Sequence, residues 1–173
     1  MKFIHTADWH LGKLFYGEYL TENQEWILKN RFLPILDEEK PDAVILAGDV
    51  YDRSVPPAEA VMLFDEMISE IVGKRHLPFL VISGNHDSAE RISFAGSILK
   101  NSGLYIYGDL KRTEPVILKD EYGEVAFVPL AYAEPGKVRE ALAVDVHTHE
   151  EAELALSHFL LEKIPVSYTH LTL

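Results

Sequence analysis

The stretch Asp42-Ala43-Val44-Ile45-Leu46-Ala47-Gly48-Asp49-Val50-Tyr51-Asp52 decides the fold. Its apolar run, Ala43 to Ala47, is too short for a helix that must bury itself and contains the β-branched types strands prefer, so it reads as a buried strand. A carboxylate directly after such a run is costly unless a cation or backbone donors at the strand end satisfy it, which singles out Asp49. Two other stretches share this form. Lys2-Phe3-Ile4-His5-Thr6-Ala7 leads into Asp8-Trp9-His10, and Pro78-Phe79-Leu80-Val81-Ile82-Ser83 leads into Gly84-Asn85-His86-Asp87.

Between these strands lie helical patterns. Thr21 and Gln24 look like a capping box that opens a helix over 21–38, with Trp26, Ile27, Phe32, Leu33, Ile35 and Leu36 on its apolar face. Pro56 and Pro57 open a second helix, which carries Val61, Met62, Phe64, Met67, Ile68, Ile71 and Val72 and ends at Gly73. A third is expected from Ser88 to Leu99, stopped by Asn101-Ser102-Gly103. Strand, loop and helix thus repeat three times. That alternation predicts an α/β fold with a parallel sheet, whose ligand sites lie beyond the carboxyl ends of its strands, where all three polar clusters fall.

From Leu104-Tyr105-Ile106-Tyr107-Gly108 onward the pattern changes. Pro115 to Lys119 and Glu124 to Leu130 flank Tyr122-Gly123 and read as an antiparallel hairpin, hence a second sheet that packs on the first. Residues 134–143 and 150–164 read as helices, the latter with Ala152, Leu154, Ala155, His158, Phe159, Leu160 and Leu161 on its buried side.

The 173 residues, 47% apolar and 25% charged, suffice for one domain with a real core. With no cysteine, a disulfide framework, a thiolate zinc site and a cysteine nucleophile are all excluded, and a cytosolic setting is expected. No apolar run approaches the ~18 residues that span a bilayer, so no membrane association is expected. The 16 basic and 28 acidic residues give a net charge of −12, the wrong sign for gripping nucleic acid by its own field. Bound divalent cations or a basic partner subunit would offset that charge locally.

The clusters supply hard carboxylate oxygens, an amide oxygen and imidazole nitrogens, a set suited to Mn, Fe or Zn. Asp8 and His10 are two apart, so both project to one side of an extended chain; an acidic turn followed by a surface histidine is the plain alternative. Asp49 is the candidate bridging carboxylate, and Asp52 either supports His10 or caps a nearby turn. In the third cluster Asn85 offers an amide oxygen, while His86 stands beside the metals as a catalytic group with Asp87 holding its orientation. Asp87 or Ser88 also suits the cap of the following helix. His5 and His158 read as core or boundary residues. Trp9, Phe15 and Tyr16 read as packing over the first loop, with stacking on a base as the alternative.

Taken together, Asp8-x-His10, Gly48-Asp49-x-x-Asp52 and Gly84-Asn85-His86-Asp87 resemble the opening motifs of the calcineurin-like metallophosphoesterase superfamily. The longer strings His5 to Gly12, Ala47 to Pro57 and Ser83 to Ser88 resemble its SbcD/Mre11 branch of DNA repair nucleases. The resemblance implies two packed mixed sheets flanked by helices and two divalent ions, usually manganese. Asp8 and His10 would bind the first ion, Asp49 would bridge, Asn85 would bind the second, and His86 would assist catalysis. It further implies exonuclease action on DNA ends and endonuclease action on hairpins, by a homodimeric nuclease within a larger complex with an SbcC/Rad50-type ATPase.

That branch completes its metal shell with a later histidine and a Gly-His-x-His motif, which does not occur in this chain; His170 is the candidate for the first of those positions. On that basis residues 1–163 are expected to form the nuclease domain, incomplete at its C-terminus, with 164–173 a tail of doubtful origin. Two other readings stay open. One is a different phosphoesterase acting on nucleotides or phosphoproteins on the same centre, and the other is a metal-poor, non-catalytic fragment.

Overall fold

The computed structural model describes residues 1–164, so all of the expected tail but Ile164, His170 included, lies outside the described residues. Four parallel strands, β1 (Phe3–Ala7), β4 (Ala43–Ala47), β5 (Phe79–Ile82) and β6 (Leu104–Tyr107), form a sheet in the order β1-β4-β5-β6. The short strands β2 (Leu14–Phe15) and β3 (Glu18–Tyr19) pair as a separate hairpin, and β7 (Val116–Asp120) pairs antiparallel with β8 (Gly123–Phe127). The expected α/β architecture with a second sheet is present. Strand directions divide between the sheets, the central one being parallel throughout and the smaller ones antiparallel. Leu104 to Tyr107, where the sequence pattern appeared to change, continues the parallel sheet by one strand.

Period-2 alternation gives the central sheet two apolar faces. Val44, Leu46, Phe79, Val81, Leu104 and Ile106 point to one side and pack with Leu33, Leu36, Leu63, Phe64, Met67 and Ile71 of the helices. Ala43, Leu80 and Tyr107 point to the other, where Val116, Leu118 and Phe127 of the β7–β8 hairpin cover them. Phe3 meets Phe127 edge to face at 5.6 Å. Burial among these apolar groups pushes the Tyr107 phenol up to about 12.

The first helical stretch is α1 (Thr21–Ile27), a wide π turn (Leu28–Phe32) and α2 (Leu33–Glu39). Pro34 sits in the first turn of α2 and has no N–H to give to the ladder, and the widened turn directly before it accommodates that loss. The second is α3 (Ala58–Ile68) followed by a π segment (Ser69–Lys74). The third expected helix breaks into α4 (Ala89–Ile92) and α5 (Gly96–Leu99). Ser93 Oγ shares the Ala89 carbonyl with its own N–H, at 2.5 and 3.2 Å, and Ala95 then adopts a left-handed φ of 58°, which ends the ladder and leaves Phe94 exposed. Ser88 does cap α4, as one reading of the third cluster expected.

Two further helices follow, α6 (Pro135–Leu142) and α7 (His149–Leu161). A capping box of Thr148 and Glu151 starts α7, which buries only the i, i+4, i+8 stripe Ala152, Leu156 and Leu160. Leu154 and His158, expected on its buried side, are exposed. No helix among the described residues is long and apolar enough to cross a membrane.

Arg75 ties two helical stretches together. Its guanidinium donates to both Asp37 oxygens, at 2.7 and 2.9 Å, and to Glu70 Oε2 at 2.9 Å. The Arg75 guanidinium holds the Asp37 carboxyl below its ordinary value of 3.8; the Lys74 ammonium, then Arg75, does the same for Glu70 against 4.5. Carboxyls depressed on folding stabilise the protein above those values and lose that contribution as pH falls through them. Arg75→Ala is therefore expected to lower the melting temperature slightly at neutral pH and to flatten its fall on acidification, both effects fading at high salt. Thermal melts across pH at two ionic strengths check this.

Candidate metal centre

The sheet register levels the three polar clusters. Ala7 pairs with Ala47, and Ala47 with Ile82, so β1, β4 and β5 end in one row and their next residues emerge side by side. The loops then stay in step: Asp8 N donates to Gly48 O at 3.2 Å, His10 N to Asp49 O at 2.8 Å, and Leu11 N to Val50 O at 2.9 Å. Gly48 N reaches across to Ile82 O at 3.1 Å. Three candidate ligands hold left-handed backbone, with φ of 55° at Asp8, 45° at His10 and 44° at Asp49. Asp and His tolerate that region better than most residues, yet such strain costs of order 1–3 kcal/mol each and clusters where function demands it.

Asp49, 7% exposed, is the buried pivot of the site. One carboxylate oxygen, Oδ1, accepts from His86 N at 2.9 Å; the other, Oδ2, lies 3.7 Å from His10 Nε2. Asp8 Oδ1 lies 4.0 Å from the same His10 nitrogen. Nitrogen and oxygen at these separations share no hydrogen bond, but both gaps fall within twice a metal–ligand bond of about 2.1 Å. Ligand atoms of His10, Asp49 and His86 all lie within 4.8 Å of one another, and the His10 and His86 rings meet edge to face at 4.8 Å. Asp8, Asp49 and Asn85 also line one cleft of about 280 Å³. Asp49 is common to both groups. A larger groove of about 930 Å³, between α1 and α3, contains none of these residues.

Two expected supporting roles fall differently. Asp87 does not touch the His86 ring; its carboxylate accepts from the backbone N–H groups of Val50 (3.1 Å), Tyr51 (2.9 Å) and Gly84 (2.9 Å), stapling the second loop to the third. Burial pushes its carboxyl up, against the pull of those three donors. The His86 ring is held instead by the Asp52 carbonyl, 2.8 Å from Nδ1. A carbonyl only accepts, so Nδ1 carries the proton and Nε2 is left available. Asp52 Oδ1 stands 3.6 Å from His10 Nδ1, too far for a hydrogen bond, and 3.8 Å from Lys13 Nζ. His10 Nδ1 is buried without a hydrogen-bond partner among the described residues.

Gln24 is the residue whose part the sequence concealed. Thr21 makes no cap and Gln24 no capping box. The Gln24 amide instead donates to Trp9 O at 3.0 Å and His10 O at 2.8 Å, and its oxygen accepts from Gly12 N at 3.1 Å. One side chain from α1 thus clamps the loop that carries His10. Ser83 and Tyr132 also line the cleft; Ser83 Oγ is buried without a hydrogen-bond partner among the described residues, and the Ser83 carbonyl accepts from Tyr132 N at 3.1 Å. Trp9 packs in the core against Phe32, Phe64 and Phe79, its Nε1 donating to Thr6 Oγ1 at 3.0 Å. His5, expected as a core or boundary residue, is exposed.

Gly84 has no room for a side chain, because a Cβ there would sit 2.1 Å from Asp49 Oδ1 and 2.3 Å from Asp49 N. Gly84→Ala is expected to destabilise the protein by about 1–3 kcal/mol and to weaken manganese uptake, measured by denaturation and calorimetry on the same sample. Gln24→Ala, which removes three bonds to the backbone of the first loop, is expected to weaken metal uptake about 10–100-fold with the fold retained, and Gln24→Glu to recover little because it loses the donors. Retention of wild-type uptake in Gln24→Ala would show that the loop holds itself.

Carboxylate, amide and imidazole groups gathered around the buried Asp49, with a His10 ring nitrogen that has no hydrogen-bond partner among the described residues, fit divalent metal ions of intermediate hardness. A family model described as calcineurin-like phosphoesterase matches residues 1–158. The match spans all three clusters, the central sheet and the small antiparallel sheet, and members of this family act on phosphoesters with divalent metals. The chain belongs to the calcineurin-like phosphoesterase family.

Proposed function

We propose that the chain is the nuclease subunit of an SbcD-type assembly, hydrolysing DNA phosphodiester bonds at ends and hairpins in repair, recombination and replication. The observation that carries phosphoester hydrolysis is the membership of Asp49 in both donor groups, the position a bridging carboxylate needs. The extended strings around the three clusters, His5 to Gly12, Ala47 to Pro57 and Ser83 to Ser88, support DNA as the substrate.

In this reading Asp8, His10 and Asp49 hold one divalent ion, manganese by preference, and Asp49 and Asn85 hold the second. Bound there, the ions supply Lewis acidity and an activated water for in-line attack. His86, its Nδ1 fixed by the Asp52 carbonyl, uses Nε2 either to stabilise charge on a phosphoryl oxygen as a cation or to protonate the leaving oxygen. Asp87 acts at one remove, keeping the loops of Asp49 and Gly84 aligned. With a net charge of −12, the chain needs its phosphate grip from elsewhere, which an SbcC-type ATPase partner joined to two copies of the nuclease in the cytosol provides.

The same acidic balance favours a second reading, a phosphoesterase for nucleotides or other small phosphoesters, which need no long electrostatic track. A full-length protein incubated with manganese, with and without the ATPase, on hairpin DNA, blunt DNA and bis(p-nitrophenyl) phosphate separates the two. Nicking of DNA that falls about 10²–10⁴-fold in His86→Ala is expected. Cleavage of the small diester with inert DNA would favour the second reading. Calorimetry showing no metal uptake would overturn both and leave a non-catalytic module.

A further inference from the structure

The β2–β3 hairpin rises directly from the site and ends in two aromatic side chains, Phe15 and Tyr16, that stand exposed among the described residues. Phe15 and Glu18 close a two-residue turn, Tyr16-Gly17, with φ of 49° and 88°. Both central residues are left-handed, the pattern of a turn that ordinarily selects Asn-Gly. A bulky tyrosine where asparagine would fit better is a local conflict without benefit to the fold, because Tyr16 is 93% exposed and Phe15 55%. The two rings touch each other edge to face at 4.6 Å. Trp9, the third aromatic of this region, is by contrast packed into the core.

Two-residue strands do not hold a hairpin by themselves. This one is pinned at its root: Lys13 N donates to His10 O at 3.1 Å, Leu20 N to Lys13 O at 2.9 Å, and Gln24 clamps Gly12 and His10. The aromatic tip is therefore tied to the same backbone as a candidate ligand.

We infer that Tyr16 and Phe15 form a stacking platform that takes an unpaired nucleobase of the DNA substrate, at a frayed end or in a hairpin loop. The inference rests on the nuclease reading and names how that substrate is held. Stacking on the face of a base draws on dispersion and π contact rather than attraction for phosphate, so it suits a chain whose net charge of −12 repels the backbone. It also tolerates any base, as an enzyme acting on ends of arbitrary sequence requires.

The test uses the full chain with its ATPase partner and manganese, and an oligonucleotide carrying 2-aminopurine either in an unpaired overhang or within a duplex. Tyr16→Ala is expected to weaken binding of the overhang about tenfold and to abolish the fluorescence change of the overhang probe, whereas duplex-internal probes respond equally in both proteins. Tyr16→Trp is expected to restore binding and to report it by quenching of the new indole. Circular dichroism and melting curves check that the exposed substitutions leave the fold intact. If wild-type protein cleaves the DNA and Tyr16→Ala and Phe15→Ala bind the overhang as tightly as wild type, the platform is overturned while the nuclease reading stands. If wild-type protein hydrolyses bis(p-nitrophenyl) phosphate but neither binds nor cleaves the oligonucleotide, the nuclease reading falls and the platform with it.

Discussion

A carboxylate that is 7% exposed beside the end of a buried strand must be satisfied or the fold loses stability, and the Asp49 side chain sets that constraint. One oxygen takes the His86 N–H, which draws the third loop in. The other faces His10 without a hydrogen bond, a placement tolerable when positive charge is available there. Around this group every neighbouring feature is an accommodation: left-handed backbone at Asp8, His10 and Asp49, a glycine at 84 with no space for more, and the Asp87 staple between loops. The parallel register brings the pieces to one level, but the buried charge dictates how tightly they close.

Much of this was legible in the residues. Continuous apolar runs followed by polar clusters identified β1, β4 and β5 and the end of the sheet that carries the site, because strand period and burial act locally. Asp8, His10, Asp49 and His86 converge as their positions after those runs implied, and Asn85 lines the cleft with Asp8 and Asp49. What was not legible depends on contacts between distant segments. Asp87 reads as a partner for the adjacent His86, yet its bonds reach Val50 and Tyr51, 37 and 36 positions away. Gln24 has the spacing of a capping box, but three backbone partners in the first loop compete for its amide and win.

Helix continuity failed for local reasons that composition hides. Periodicity joined residues 88–99 into one helix because it counts apolar positions and ignores the Ser93 hydroxyl, which shares the Ala89 carbonyl with its own N–H, and the left-handed turn at Ala95. Leu104 to Tyr107 seemed to leave the parallel pattern because its two tyrosines suit either kind of sheet. Its pairing with β5, from Phe79–Leu104 to Ile82–Tyr107, comes from the crossover that precedes it.

The Asp87 staple has a kinetic side. Its bonds join residues about a third of the way along the chain to residues near the middle, so they form only after β4, α3 and β5 have docked. Loop-closure entropy is met by the growing sheet before this contact can add anything. With the sheet assembled but Asp87 unengaged, the loops bearing Asp49 and His86 would lack the staple that holds them level.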